Sequence, residues 1–266
     1  MDNVVLALMA HPDDAEILCG GTLALLASRG WKVHIATATP GDCGTSSLEP
    51  DEISRIRRKE AAAAAKVLGG EHHCLERRDL KVHYDDDTLS AACGVLRRAR
   101  PRIVLTHSPA DYMLDHEQMS LVARMAAFGA SMRNAPAPPG SRPCEGVPHL
   151  YYADPMEGKD IYGAPVLPSL LVDIGAVFET KLRMLAEHAS QRDWLRAHHG
   201  VDEYLEGVRR WARERGRLAC CEYAEGFRQH KGHAYPQDDL LAATLEASAI
   251  RFPAGAACNQ KGVEGT

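Results

Sequence analysis

The sequence predicts one α/β domain, layered around a mainly parallel sheet, on three observations. Short apolar runs of strand length, starting with Val4 to Ala10, alternate with longer amphipathic segments, the pattern of strand–helix–strand units. The chain has 266 residues, 45% of them hydrophobic, which suffices for a single substantial core. Polar side chains gather directly after two apolar runs, in Met9 to Gly21 and in Thr106 to Ser120, where a parallel sheet opens into its ligand crevice. The expected fold is therefore a Rossmann-like three-layer arrangement, with residues 1–235 as the domain and 236–266 as a partly disordered C-terminal tail.

The first strand runs straight into MAHPDDAEILCGG, and the apolar periodicity of Ile17 to Ser28 makes that stretch a strand-to-helix turn. Imidazole nitrogen and carboxylate oxygen both suit a divalent metal such as zinc, and His11 and Asp14 can converge on one ion. Neighbouring side chains on a turn diverge, so Asp13 is left free to take a proton from the attacking water. A helix cap would account for one Asp, but not for two beside a His and a Gly-Gly.

Gly30 ends the first helix, and Trp31 to Thr39, rich in β-branched residues, is a second strand. The loop Pro40 to Gly44 then faces the same crevice, with Asp42 as a wall residue. A helix follows from Asp51 to Leu68, stopped by Gly69-Gly70, and Arg57 and Glu60 on it are spaced for a surface ion pair. A short strand falls within Glu71 to Leu80; Asp85 to Asp87 cap a helix through Arg98, and Arg102 to Thr106 is the next strand. THSPADYMLDHEQMS repeats the geometry of the first turn, bringing His107, Asp111, Asp115 and His116 near the crevice. A zinc site with an open position needs a third protein ligand, and His116 supplies it.

Asn134 to Pro148 is too proline-rich for regular structure and is expected at the rim of the pocket. His149 to Ala153 and Ser169 to Ile174 are further strands, and Tyr151 or Tyr152 offers a phenol to an oxyanion. Ala176 to His199 reads as an amphipathic helix, and Asp202 to Ala219 as a helix facing solvent.

AHPDDAEILCGGTLA resembles the N-terminal signature of the PIG-L/LmbE-like zinc-dependent N-deacetylases, which remove acetyl or other acyl groups from glucosamine-type sugars. The resemblance runs from about Val4 to Gln229 and implies zinc, one per chain or another divalent metal in its place, on His11, Asp14 and His116, with Asp13 as general base. It also implies that Arg57, within RRKE, reaches the substrate, and that Asp79 and Tyr112 line the pocket with Asp42. Where family members usually carry H-P-D-H, this chain has Met113-Leu114-Asp115-His116: the metal ligand is kept and the catalytic histidine is a methionine. Asp13 is then expected to serve as base and acid in turn, with His107 the alternative for that vacancy, and His188 in KLRMLAEHASQ matches a family histidine beside the active site.

A net charge of −5 with interspersed signs excludes a nucleic-acid footprint, leaving a small-molecule amino sugar or glycoconjugate as the partner, with a homo-oligomer allowed. The N-terminal apolar run lacks a basic flank and ends at HPDD, so it reads as a core strand rather than a signal peptide, and no stretch is long enough for a membrane span. The eight cysteines contain no C-x-x-C pair and read as reduced thiols of a cytoplasmic protein. The competing readings are an amidase acting on glucosaminyl thiol conjugates and a metal-binding protein without hydrolytic activity. A dinucleotide binder is disfavoured because no G-x-G-x-x-G follows the first strand.

Overall fold

The apolar runs form strands because each is buried on both faces. β1 (Val4–Met9) and β4 (Ile103–Thr106) are buried along their whole length, as the inner strands of a parallel sheet must be. The computed structural model describes residues 2–192 and 203–251. Among these, β1, β2 (Lys32–Thr37), β3 (Glu71–Cys74), β4 and β5 (His149–Ala153) pair in parallel in the order β3-β2-β1-β4-β5. β6 (Leu170–Asp173), β7 (Ala224–Gln229) and β8 (Ala249–Arg251) extend the sheet by antiparallel pairing in the order β5-β7-β6-β8. The result is one eight-stranded α/β sheet in which the parallel half carries the crevice.

Period-two alternation divides the core between two faces. Val5, Ala7 and Met9 pack with Ala15, Cys19 and Leu23 of α1 (Asp14–Ser28) and with α5 (Phe178–Ala186). Leu6 and Leu8 pack with α3 (Asp86–Ala99) and α4 (Leu114–Gly129). α2 (Pro50–Val67) joins the first layer through Ala65, and Gly69 follows it at φ 67°, a conformation that a Cβ would disfavour. Asp85 caps α3 by accepting the Thr88 amide at 2.7 Å, as its sequence position predicts. α6 (Glu203–Ala219) packs on β6 and β7, and α7 (Leu240–Leu245) packs under α1.

Three expectations change. Residues 236–251 are not tail: Leu241 and Leu245 of α7 are fully buried, and β8 pairs with β6. β7 carries Glu225 in the core, where Lys181 Nζ meets its Oε1 at 2.6 Å and the amides of Gly21 and Thr22 donate to it at 2.8 and 2.7 Å. The helix expected over Ala176 to His199 is interrupted: α5 ends at Ala186, helical backbone resumes over 189–192, and the stretch from 193 lies outside the described residues, as does the tail from Ala254. The loop 134–148 lies away from the crevice: Pro138 is against Gly94 of α3, and Ala137, Cys144 and Val147 pack on the α3–α4 side of the core. No helix of the described residues is long and apolar enough to cross a membrane, and the seven described cysteines are free.

Candidate active site

The carboxyl ends of β1, β2, β3 and β4 open into a cleft of about 450 Å³, closed from the side by α6. Asp13 makes the decisive turn. It precedes α1 at φ 96°, a left-handed conformation tolerated by Asp more readily than by most side chains, and it makes no side-chain cap. The consecutive carboxylates therefore point apart. Asp14 Oδ2 accepts the His11 amide at 2.7 Å and faces His11 Nδ1 at 3.4 Å, while its Oδ1 faces His116 Nε2 at 3.5 Å. Asp13 Oδ2 instead accepts the Tyr204 hydroxyl at 2.8 Å and lies 3.6 Å from Arg57 Nη2.

The two imidazoles are held from behind by carboxylates. Asp115 Oδ2 is 3.1 Å from His11 Nε2, and Asp111 Oδ1 is 3.0 Å from His116 Nδ1. Asp115 is fixed by the Leu80 amide at 2.7 Å. Each ring thus presents its other nitrogen to Asp14, and donor atoms of His11, Asp14 and His116 lie within 4.8 Å of one another. A histidine oriented by a carboxylate on one nitrogen with the other aimed at a shared point is the arrangement of metal sites, so these residues fit a divalent cation.

Electrostatics follow the same division. Burial alone would lower the His11 imidazole, but Asp115 and Asp14 push it up to about 10. Burial would raise Asp14, yet His116 and His107 hold its carboxyl well below the usual range. Asp13 goes the other way: burial raises it, and Arg57 offsets part of that rise.

The remaining expected residues separate into those that reach the cleft and those that do not. Arg57 is buried and lines it, donating to the Pro12 carbonyl at 2.8 Å; Arg58 is on the surface with Glu76. Glu60 does not pair with Arg57 but accepts the Ser190 amide and hydroxyl at 2.9 and 2.6 Å. Asp79 lines the cleft, accepting from Thr39 Oγ1 at 2.5 Å and the Cys43 amide at 2.8 Å, and Tyr112 stands exposed at the mouth with its ring edge-on to His116. Asp42 turns away: the Asp79 amide at 2.7 Å and the Arg78 guanidinium at 3.0 Å claim its carboxylate, so it ties two loops together.

His107 and His188 are both fully buried and neither lines the cleft. His107 stacks on His116 with ring centroids 4.0 Å apart, and its Nε2 accepts the Ala10 amide at 2.9 Å. His188 Nε2 is 3.6 Å from Glu16 Oε1, behind α1. Tyr151 and Tyr152 are spent elsewhere, on Asp239 at 2.9 Å and on His230 at 3.0 Å. Met113 lines the cleft where the family histidine would stand.

Sequence reasoning missed Tyr204. It reaches Asp13 across 191 residues, from a helix that read as solvent-facing; its neighbours Val208 and Trp211 also line the cleft. The recurrence of Tyr204, Val208 and Ala212 at four-residue spacing was the available signal of a buried face.

Residues 6–127 match the family profile described as PIG-L: GlcNAc-PI de-N-acetylase, which spans His11, Asp13, Asp14 and His116. The chain is 29% identical over 238 residues to diacetylchitobiose deacetylase of Thermococcus kodakarensis, covering 84% of this chain and 82% of that protein. It is 29% identical over 197 residues to 4-oxalmesaconate hydratase of Pseudomonas putida, covering 70% and 73%. The solved N,N'-diacetylchitobiose deacetylase of Pyrococcus horikoshii superposes with a TM-score of 0.73 at 26% identity, covering 90% of this chain and 88% of that one. Residues 6–127 thus match the PIG-L family model, and the chain as a whole is similar in sequence and fold to deacetylases.

Proposed function

We propose that the cleft hydrolyses the N-acyl group of a glucosamine-type sugar or glycoconjugate, with one zinc, or another divalent metal, held by His11, Asp14 and His116. The observation that carries this reading is the divergence at the HPDD turn: Asp14 joins two carboxylate-oriented imidazoles, while Asp13 is withheld from that set and kept beside Arg57 and Tyr204. A cation there supplies a Lewis acid for the acyl oxygen and a lowered pKa for water. Asp13 takes the proton from the attacking water and afterwards gives it to the departing amine, because Met113 has no proton to give. Arg57, Asp79 and Tyr112 line the space where the sugar would lie. The strand order β3-β2-β1-β4-β5 supports a Rossmann-like description of the parallel half, and a cytoplasmic location completes the reading.

The test is metal analysis of the purified protein together with release of free amine from a panel of N-acyl amino sugars and acylated glucosaminyl thiol conjugates. A metal-loaded protein that frees no amine from any of them defeats the reading. A second reading, hydration of a carbon–carbon double bond, is favoured by the similarity to the hydratase and by Met113, since hydration has no departing amine to protonate. Consumption of 4-oxalmesaconate without amine release in the panel would select it.

A further inference from the structure

We propose that His34, Glu71 and His73 form a second divalent-cation site, of the nitrogen-and-oxygen donor type that takes zinc, nickel or copper, toward the amino end of the sheet. The parallel register pairs His34 with Glu71 and Ala36 with His73, so the three side chains share one face of β2 and β3. His34 Nδ1 lies 3.0 Å from His73 Nε2 and 3.9 Å from Glu71 Oε2. Bonds of 2.0–2.1 Å to a tetrahedral zinc put neighbouring ligand atoms about 3.3 Å apart, a value these two separations bracket. The rings are 18° from parallel with their centroids 5.3 Å apart.

The surroundings favour a ligand more than a simple histidine pair. Lys32 is already paired with Asp2, and the carboxylate of Glu71 opposes the repulsion from Arg98 beside His73. His34 and Glu71 open onto a cleft of about 610 Å³ at the end of the sheet away from the HPDD turn, which leaves room for a water or an outside group as a fourth ligand. The site is independent of the proposed hydrolysis.

The full chain, dialysed against buffered micromolar zinc, is expected to hold about two zinc ions, falling to about one in His34→Ala/His73→Ala and to about one in His116→Ala. Added zinc should raise the melting temperature of His116→Ala but no longer do so once His34 and His73 are also replaced. A double variant with wild-type stoichiometry, or a His116→Ala protein that takes up no zinc, overturns the site. Should the double variant fail to fold, His73→Gln must show the same loss of one zinc with an unchanged circular dichroism spectrum.

Discussion

Replacing Tyr204 by Phe isolates the contact that sequence could not reveal. The change removes one hydroxyl, which donates to Asp13 Oδ2 at 2.8 Å between two groups that are each more than 90% buried. A hydrogen bond to a charged acceptor is worth about 1.5–3 kcal/mol, and leaving the buried acceptor short of a donor exposes most of that value. At about 1.4 kcal/mol per factor of ten, kcat/KM for amine release should fall about ten- to a hundredfold. The zinc content should stay at the wild-type level, because the ligand set is built on Asp14 and not on Asp13. Arg57, 3.6 Å away, keeps Asp13 partnered, so the fold survives. Metal analysis paired with steady-state kinetics decides the matter. A variant within twofold of wild type at full metal loading would show that Tyr204 does not position the base, and loss of zinc would show that the two carboxylates do not have separate tasks.

Four other outcomes follow from the same geometry. Asp13→Asn should keep its zinc and lose at least about a hundredfold in activity, whereas His107→Ala and His188→Ala cost far less; equal damage in either histidine variant, with its pKa on the acid limb of the pH profile, would reverse the assignment. In Gly44→Ala the new Cβ would overlap Arg57 Nη1 at the free end of that side chain, so KM should rise about tenfold while the melting temperature holds; an unchanged KM removes Arg57 from substrate contact. Shortening the loop 134–148 should leave kcat/KM unchanged and lower stability, since Arg97 is bonded to Ala130, Met132 and Ser141 beneath it; a change in substrate preference would contradict its observed place. Asp154 is raised to about 6 by burial, beyond what Arg215 and Arg228 offset, so the folded state binds its proton more tightly than the unfolded chain does. Stability should therefore fall by about 2 kcal/mol between pH 4 and 7 on its account, and urea melts of Asp154→Asn that keep the wild-type slope with pH would refute this.

What was legible in the sequence depended on how local the cause was. The parallel strands show as apolar runs because both faces of β1 and β4 are covered, and the HPDD turn shows because three reactive residues stand within four positions. β7 stayed hidden because AEGFRQ reads as polar. Its Glu225 is acceptable in the core only through Lys181 and the Gly21 and Thr22 amides, all distant in sequence. Asp42 was misread for the converse reason: a loop carboxylate at a strand's carboxyl end looks available until the Asp79 amide and Arg78 are seen to occupy it. Asp111 and Asp115 could be placed near the crevice, but their task of steering the two imidazoles appears only in the assembled site.

The methionine at 113 concentrates these arguments. It stands at the entry to α4, lining the cleft between Tyr112 and the helix that carries His116, so a histidine there would have faced the cleft. His107 does not repair the loss, since it is fully buried behind His116 and its Nε2 already receives the Ala10 amide. His188 lies behind α1, beside Glu16. Asp79 lines the cleft but is held by Thr39 and the Cys43 amide. Asp13 remains: a carboxyl in the cleft, outside the ligand set, raised by burial and steered by one hydroxyl and one guanidinium. A site that has given up its separate acid can still run both proton transfers if its base is able to hold the proton between them. On the proposed reading, burial of Asp13 supplies that capacity, and Arg57 and Tyr204 oppose it enough to let the proton leave.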